Sequence, residues 1–149
     1  MDMSVRLQRA NFVVRDISRA LNFYVDVLGF TVAFEQGHNP DSYSFPVFDI
    51  PGEAQLGFCV LSSPAQPRVM ALTQIGNVNL DPVPHPRRAA IVLEVDDPDA
   101  VMDGARKLGL HVYEEEKLIT NDGRVGREIG IVDFDDNLVV IYKILQAAA

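Results

Sequence analysis

The chain has 149 residues, 48% of them hydrophobic and 23% charged, the composition of one ordinary globular domain that buries about two-thirds of its extended surface without a covalent staple. Its 13 Lys and Arg against 21 Asp and Glu leave a net charge of −8, which argues against a nucleic-acid partner, because a phosphate backbone rewards clustered cations. No window approaches the roughly 18 apolar residues of a membrane span, the opening MDMSVRLQRA has no apolar signal core, and the single Cys59 has no intrachain partner, so a cytoplasmic location without membrane association is expected.

Residues 10–14 read as an apolar strand, and Asp16 reads as the N-cap of a helix whose face is Ile17, Ala20, Leu21, Tyr24, Val25 and Leu28. Gly29 suits the left-handed position after that helix, and residues 30–34 read as a second strand. Residues 39–53, with Pro40, Pro46, Pro51 and Gly52, read as an insertion holding a short extra strand. Strands are expected at 55–61 and 69–75, joined by a turn with Pro64 and Pro67, and the proline-rich run 77–88 reads as a linker.

The pattern then repeats. Residues 91–95 read as a strand, Asp96 as an N-cap with Pro98 in the first turn, and Val101, Gly104, Ala105 and Leu108 as a weaker helical face ending at Gly109. Strands follow at 110–113, 127–132 and 138–144, the last two joined by the turn 133–137. The same interval separates Asp16 from Gly29 and Asp96 from Gly109, which marks an internal duplication. The expected fold is α+β: two tandem βαβββ modules forming a curved mixed sheet around a cavity. Module 1 covers about 5–76 and module 2 about 89–146 of a single domain.

Strand alternation places Ala10, Phe12 and Val14 on one face and Arg9, Asn11 and Val13 on the other. Likewise Ile91, Leu93 and Val95 oppose Ala90, Val92 and Glu94. The apolar faces cover helices, and the mixed faces line a wet concavity suited to a ligand. Within it Arg9 has the chemistry to grip a carboxylate, phosphate or enolate oxygen, against a structural ion pair with Glu94 or simple exposure. Glu94 is the candidate general base if desolvated, against a strand-end carboxylate in water. Asn11, Thr73 and Tyr142 share the inward parity and are candidates to orient a ligand, against satisfied polar lining.

Cys59 reads as a small buried hydrophobe and Phe23-Tyr24 as helix packing. His38, His85 and His111 show no convergent spacing. The acidic groups Asp96, Asp97 and Asp99, Glu114 to Glu116, and Asp133, Asp135 and Asp136 read as solvated turns rather than ion sites.

The stretch FVVRDISRALNFYVDVLGF from Phe12 to Phe30, with its Phe23-Tyr24 and Leu28-Gly29-Phe30 elements, resembles the first strand and helix of the vicinal oxygen chelate superfamily of glyoxalases, bleomycin resistance proteins and extradiol dioxygenases. The late Val132-Asp133-Phe134-Asp135-Asp136-Asn137 is similar to that family's Asp-Pro-Asp-Gly-Asn turn, with Phe134 in place of the proline and Asp136 in place of the glycine. The resemblance spans nearly the whole chain. It implies a divalent metal held by His or Gln and Glu side chains, whose positions fall here on Arg9, Ala71, Ala90 and Val140, with Gly57 or Cys59 as alternatives to Ala71. None of the four is a usual ligand, so no catalytic metal and no cofactor are expected.

What the resemblance then implies is a metal-free small-molecule-binding protein. The alternatives are a glyoxalase- or dioxygenase-like enzyme using nonstandard ligands or acid/base chemistry through Arg9 and Glu94, and an interaction module. It also implies a homodimer, since family cavities are often completed across two chains.

Overall fold

In the computed structural model, which describes residues 3–147, Asp16 stands in an extended conformation and its carboxylate accepts the Arg19 N–H, capping helix α1 (Ile17–Tyr24). The remaining elements of the first half are β1 (Ala10–Val14), β2 (Thr31–Gln36), α2 (Ser44–Val47), β3 (Gln55–Ser62) and β4 (Met70–Gly76). They form one sheet of order β1-β4-β3-β2, with β1 parallel to β4 and the other pairs antiparallel. On the α1 side, Phe12, Val14, Cys59, Leu61, Met70 and Leu72 bury against Ala20, Phe23 and Tyr24. Full burial of each large apolar side chain contributes about 1.5–3 kcal/mol.

Two close contacts seat α1 on the sheet. Gln74 Oε1 accepts the Ile17 N–H at 2.8 Å, satisfying a helix-start donor that has no partner within the helix. Beneath it a Cβ on Gly57 would lie 3.2 Å from Gln74 Cβ and 3.3 Å from Ile17 Cδ1, so only glycine permits this approach without displacement. The helix stops at Tyr24 rather than reaching Leu28; a turn follows and Gly29 reverses the chain at φ 86.

The insertion holds the four-residue helix α2 instead of the expected strand. Asn39 Oδ1 and Ser42 Oγ accept the Asp41 and Ser44 N–H groups, local bonds that favour turns over a ladder. Ile50 and Ala54 pack on Leu56 and Ile75, with half-buried Val13, Phe45, Val78 and Leu80 around them. The sheet face opposite α1 is therefore filled with apolar side chains at one end, where a wet surface was expected.

The second half repeats the plan with β5 (Ile91–Glu94), α3 (Pro98–Lys107), β6 (Glu116–Ile119), β7 (Val125–Val132) and β8 (Leu138–Gln146) in the order β5-β8-β7-β6. Again the first and last strands are parallel and the rest antiparallel. Val101, Met102 and Ala105 of α3 are buried, as are Ile129, Ile131, Val139 and Ile141 of β7 and β8. The cap of α3 is Asp97, whose carboxylate accepts the Ala100 N–H at 3.1 Å, and not Asp96. Because β5 ends at Glu94, Asp96 lies in the bend, where its carbonyl accepts from Lys143 Nζ.

The expected strand at 110–113 contributes only a bridge, Val112 to Ile131. The register then shifts by one residue and the ladder resumes as β6 against β7, while Glu115 is drawn to Arg127, which also holds Asp99.

The acidic turn 133–137 is not simply solvated. Asp133 and Asp135 are buried, and Asp133 Oδ1 accepts the N–H groups of Asp135 and Asn137, each at 2.8 Å. A buried carboxylate persists where such donors surround it. Asp136, which replaces the glycine of the resembled turn, has φ 67, a left-handed conformation that Asp tolerates better than most residues. Its carboxylate is held by Arg87, which also donates to Tyr113 Oη at 3.0 Å.

The chain divides into two compact units, Met1–Leu80 and Asp81–Ala149. The expected linker 77–88 is split between them: Val78 and Leu80 belong to the apolar cluster of the first, and Arg87 is bonded within the second.

Candidate functional site

In Met1–Leu80 the register places Asn11, Val13, Ala71, Thr73, Phe58 and Gln36 on the face opposite α1. Thr73, only 2% exposed, donates its hydroxyl to Asn11 Oδ1 at 3.0 Å. Asn11 Nδ2 is buried and has no hydrogen-bond partner among the described residues. Beside this pair lies a cavity of about 190 Å³ whose wall includes Gln36, Asn39, Ser42, Ser44, Phe58 and Thr73.

Asn39, Ser42 and Ser44 come from the insertion. Sequence reasoning passed over them, although the amide- and hydroxyl-rich run Asn39-Pro40-Asp41-Ser42 was the available signal. Two larger depressions, about 570 Å³ beside Pro51 and Asn77 and about 380 Å³ beside Phe45 and Ile50, are wide open to solvent and bring together fewer groups able to orient a ligand.

The candidates do not all gather at this cavity. Thr73 lines it and Asn11 is bonded to Thr73. Arg9 precedes β1, half-buried, and its Nε is buried without a partner among the described residues. Thr73 lies opposite Val13, so Arg9 sits about 13 Å back along β1 at ~3.3 Å per residue, and it is not part of the cavity wall.

In Asp81–Ala149, Glu94 and Tyr142 are direct neighbours on β5 and β8, and Tyr142 donates its hydroxyl to Glu94 Oε2 at 3.1 Å. That bond, then burial, raises the Tyr142 hydroxyl pKa above its usual value. Glu94 itself is exposed, the strand-end situation weighed against catalysis. Glu128 pairs with Tyr142 and Glu116 with Glu128, so three carboxylates and a phenol share one cross-strand row. Val92, on the same face as Glu94, is 63% exposed.

Other reactive groups are spoken for. Cys59 is fully buried, and burial followed by the Glu35 charge pushes its thiol up to about 11, which suppresses the nucleophilic thiolate. His38 Nδ1 accepts the Leu56 N–H at 2.9 Å, His111 packs edge-on to Tyr113, and His85 lies 3.9 Å from Asp136.

A divalent metal of the kind the resemblance implies does not fit. Ala71 is fully buried and Ala90 exposed, neither these nor Val140 carries a donor atom, and Arg9 brings a cation. Among the described residues no group of three or more His, Cys, Asp or Glu side chains is arranged to hold an ion. Nor is any described helix long and apolar enough to cross a membrane.

The profile of the glyoxalase/bleomycin resistance protein/dioxygenase superfamily matches residues 6–141. The chain belongs to that superfamily. Among solved structures it is similar to a glyoxalase family protein from Bacillus cereus (14% identity, TM-score 0.73, 97% of each chain covered). It is also similar to a glyoxylase/bleomycin resistance protein/dioxygenase domain from Frankia sp. (13% identity, TM-score 0.69, covering 96% of this chain and 94% of that one). A third is a variant of a fosfomycin resistance protein from Listeria monocytogenes, complexed with Mn(II) and 1S,2S-dihydroxypropylphosphonic acid (15% identity, TM-score 0.60, covering 94% and 93%). At these identities the likeness shows the fold. A comparison with curated protein sequences finds no match.

Proposed function

We propose that the protein is a small-molecule-binding member of the superfamily, of the bleomycin resistance type, that holds its ligand without a metal. The observation that carries this reading is the cavity of Met1–Leu80, where Thr73 and the insertion's Asn39, Ser42 and Ser44 turn hydroxyl and amide groups on one small volume beside an apolar ring. The want of donor atoms at Ala71, Ala90 and Val140 supports the metal-free part of it.

The test is elemental and native mass spectrometry on untagged protein purified without chelator from metal-supplemented cells, followed by a ligand screen. The expected result is no stoichiometric metal and saturable binding of small organic molecules. Stoichiometric zinc, nickel, manganese or iron would overturn it. Arg9→Ala then sets the reach of the site: a ligand confined to the cavity keeps its affinity, and one extending along the face to Arg9 binds more weakly.

A second reading, an enzyme of glyoxalase or dioxygenase type using acid/base chemistry, is favoured by the Tyr142–Glu94 hydrogen bond, which couples a phenol to a carboxylate. Turnover of a bound ligand that Glu94→Gln abolishes would move the protein to that class. A homodimer is part of the first reading: β2 is an edge strand with Val32 and Phe34 about half-exposed, and such edges call for cover. A monomer in analytical ultracentrifugation at micromolar concentration would remove it. A cytoplasmic location completes the proposal, in keeping with the unpaired, buried Cys59.

A further inference from the structure

The cavity beside Thr73 has an unusual balance of chemistry for a chain so rich in charge. Among the described residues, Gln36, Asn39, Ser42, Ser44 and Thr73 supply the polar side chains of its wall, and none that lines it is charged. An ion resting there would lose part of its hydration and find no counter-charge in the wall, which disfavours it relative to a neutral ligand.

The hydrogen-bonding capacity left over is of both kinds. Asn39 Oδ1 and Ser42 Oγ already accept the Asp41 and Ser44 N–H groups, which leaves the Asn39 amide N–H groups and the Ser42 hydroxyl proton to donate. The Thr73 hydroxyl proton is spent on Asn11, which leaves its oxygen to accept. The Nδ2 of the same Asn11 is buried without a partner among the described residues, and turning that amide over would strand its oxygen instead, so one amide atom lacks a described partner in either orientation.

Phe58, half-buried and edge-on to Phe34 at 6.5 Å, gives the cavity one apolar wall. The volume of about 190 Å³ is that of roughly six waters at ~30 Å³ each, below the ~300 Å³ at which drug-sized sites begin.

We infer that this cavity receives an uncharged, hydroxyl-rich ring, a cyclic polyol or sugar unit, with one C–H face on Phe58 and its hydroxyls shared among Thr73, Asn39, Ser42 and Ser44. Such a ring offers a donor and an acceptor at every hydroxyl, which matches a wall of mixed neutral groups. It also presents an apolar C–H face to Phe58, which an inorganic phosphate does not. The insertion thereby becomes the specificity element of the first unit, since it provides three of the five polar side chains. This inference rests on the small-molecule-binding reading and narrows it to one chemical class.

The experiment is a 1H–15N NMR titration of the full-length protein with four probes: glucose and myo-inositol, which are neutral, and glucose 6-phosphate and glucosamine, which are charged. A ring of this size in a shallow neutral site is expected to bind with a Kd of about 1–10 mM. The neutral probes should shift the backbone signals of Ser42, Ser44, Phe58 and Thr73 and the side-chain amides of Asn11, Gln36 and Asn39. The charged probes should bind there about tenfold more weakly or not at all. Thr73→Val should weaken the neutral probes about threefold to tenfold, and Ser44→Ala, which leaves the sheet untouched, should do so by a similar factor.

Charged probes binding the cavity as tightly as the neutral ones would overturn the inference and leave the small-molecule-binding reading standing. So would neutral probes whose shifts map elsewhere. Silence from all four probes would overturn the inference and also remove the cavity as support for the broader reading.

Discussion

Replacing Thr73 by valine keeps the shape of the side chain and removes only its hydroxyl. In the folded protein that hydroxyl donates to Asn11 Oδ1 at 3.0 Å in a place where Thr73 is almost fully buried. The change strands a second atom of an amide whose Nδ2 already has no partner among the described residues. An unsatisfied buried acceptor costs about 1–3 kcal/mol, and the added methyl recovers about 0.8 kcal/mol, so Thr73→Val is expected to destabilise by about 0.5–2 kcal/mol. Asn11→Leu strands the Thr73 hydroxyl instead and costs a similar amount.

The double variant has no polar atom of the pair left to satisfy and is expected to match or exceed the parent in stability, a coupling of about 1–4 kcal/mol. Urea unfolding of the four proteins at fixed pH and ionic strength measures the cycle. Single losses that add to within about 0.5 kcal/mol would refute the picture of an isolated, under-satisfied pair. A double variant that is more stable but binds no ligand is the signature of a polar pair kept for function at a cost in stability.

Further outcomes are expected. Because the Cys59 thiol is raised from 9.0 to about 11, the folded state holds this proton more tightly than the unfolded chain. The stability this provides is complete below pH 9 and lost as pH rises through about 11, a change of about 2–3 kcal/mol. The parent should therefore lose stability relative to Cys59→Val over that window, and a constant difference would contradict the assignment. Asp97→Ala should cost about 1 kcal/mol by uncapping α3, whereas Asp96→Ala should stay within about 0.5 kcal/mol; equal losses in thermal unfolding would contradict the cap geometry. Glu94→Gln removes the main cause of the raised Tyr142 hydroxyl pKa, so the phenol should titrate closer to its ordinary value when followed by NMR. No movement would mean that the hydrogen bond is absent in solution.

The sequence was legible where structure follows from local periodicity and special backbone positions. The strand–helix units appear at 10–29 and 91–109 because Phe12 and Val14, or Ile91 and Leu93, alternate at the strand period, and Gly29 and Gly109 occupy left-handed positions. The second cap fell one residue away from the expected one, since two adjacent aspartates satisfy the same local rule and only the end of β5 selects between them. The second-module strand 110–113 was displaced for a related reason: a one-residue shift before β6 leaves no mark in a run of three glutamates.

The partnerships of the site lay beyond any local signal. Asn11 meets Thr73 across 62 residues, and Glu94 meets Tyr142 across 48. Their inward parity could be read from alternation, but a slip of one residue in the register would have turned each of them to the other face. The burial of Asp133 and Asp135 depended on backbone N–H groups that only the folded turn supplies. So did the cavity, whose wall joins strand residues to an insertion without periodicity. Composition and periodicity by themselves determined the duplicated α+β fold, because that is a property of residue type and spacing. Which polar group meets which, and which stays unpaired, was decided by long-range register and loop packing, because burial and hydrogen bonding belong to the assembled chain.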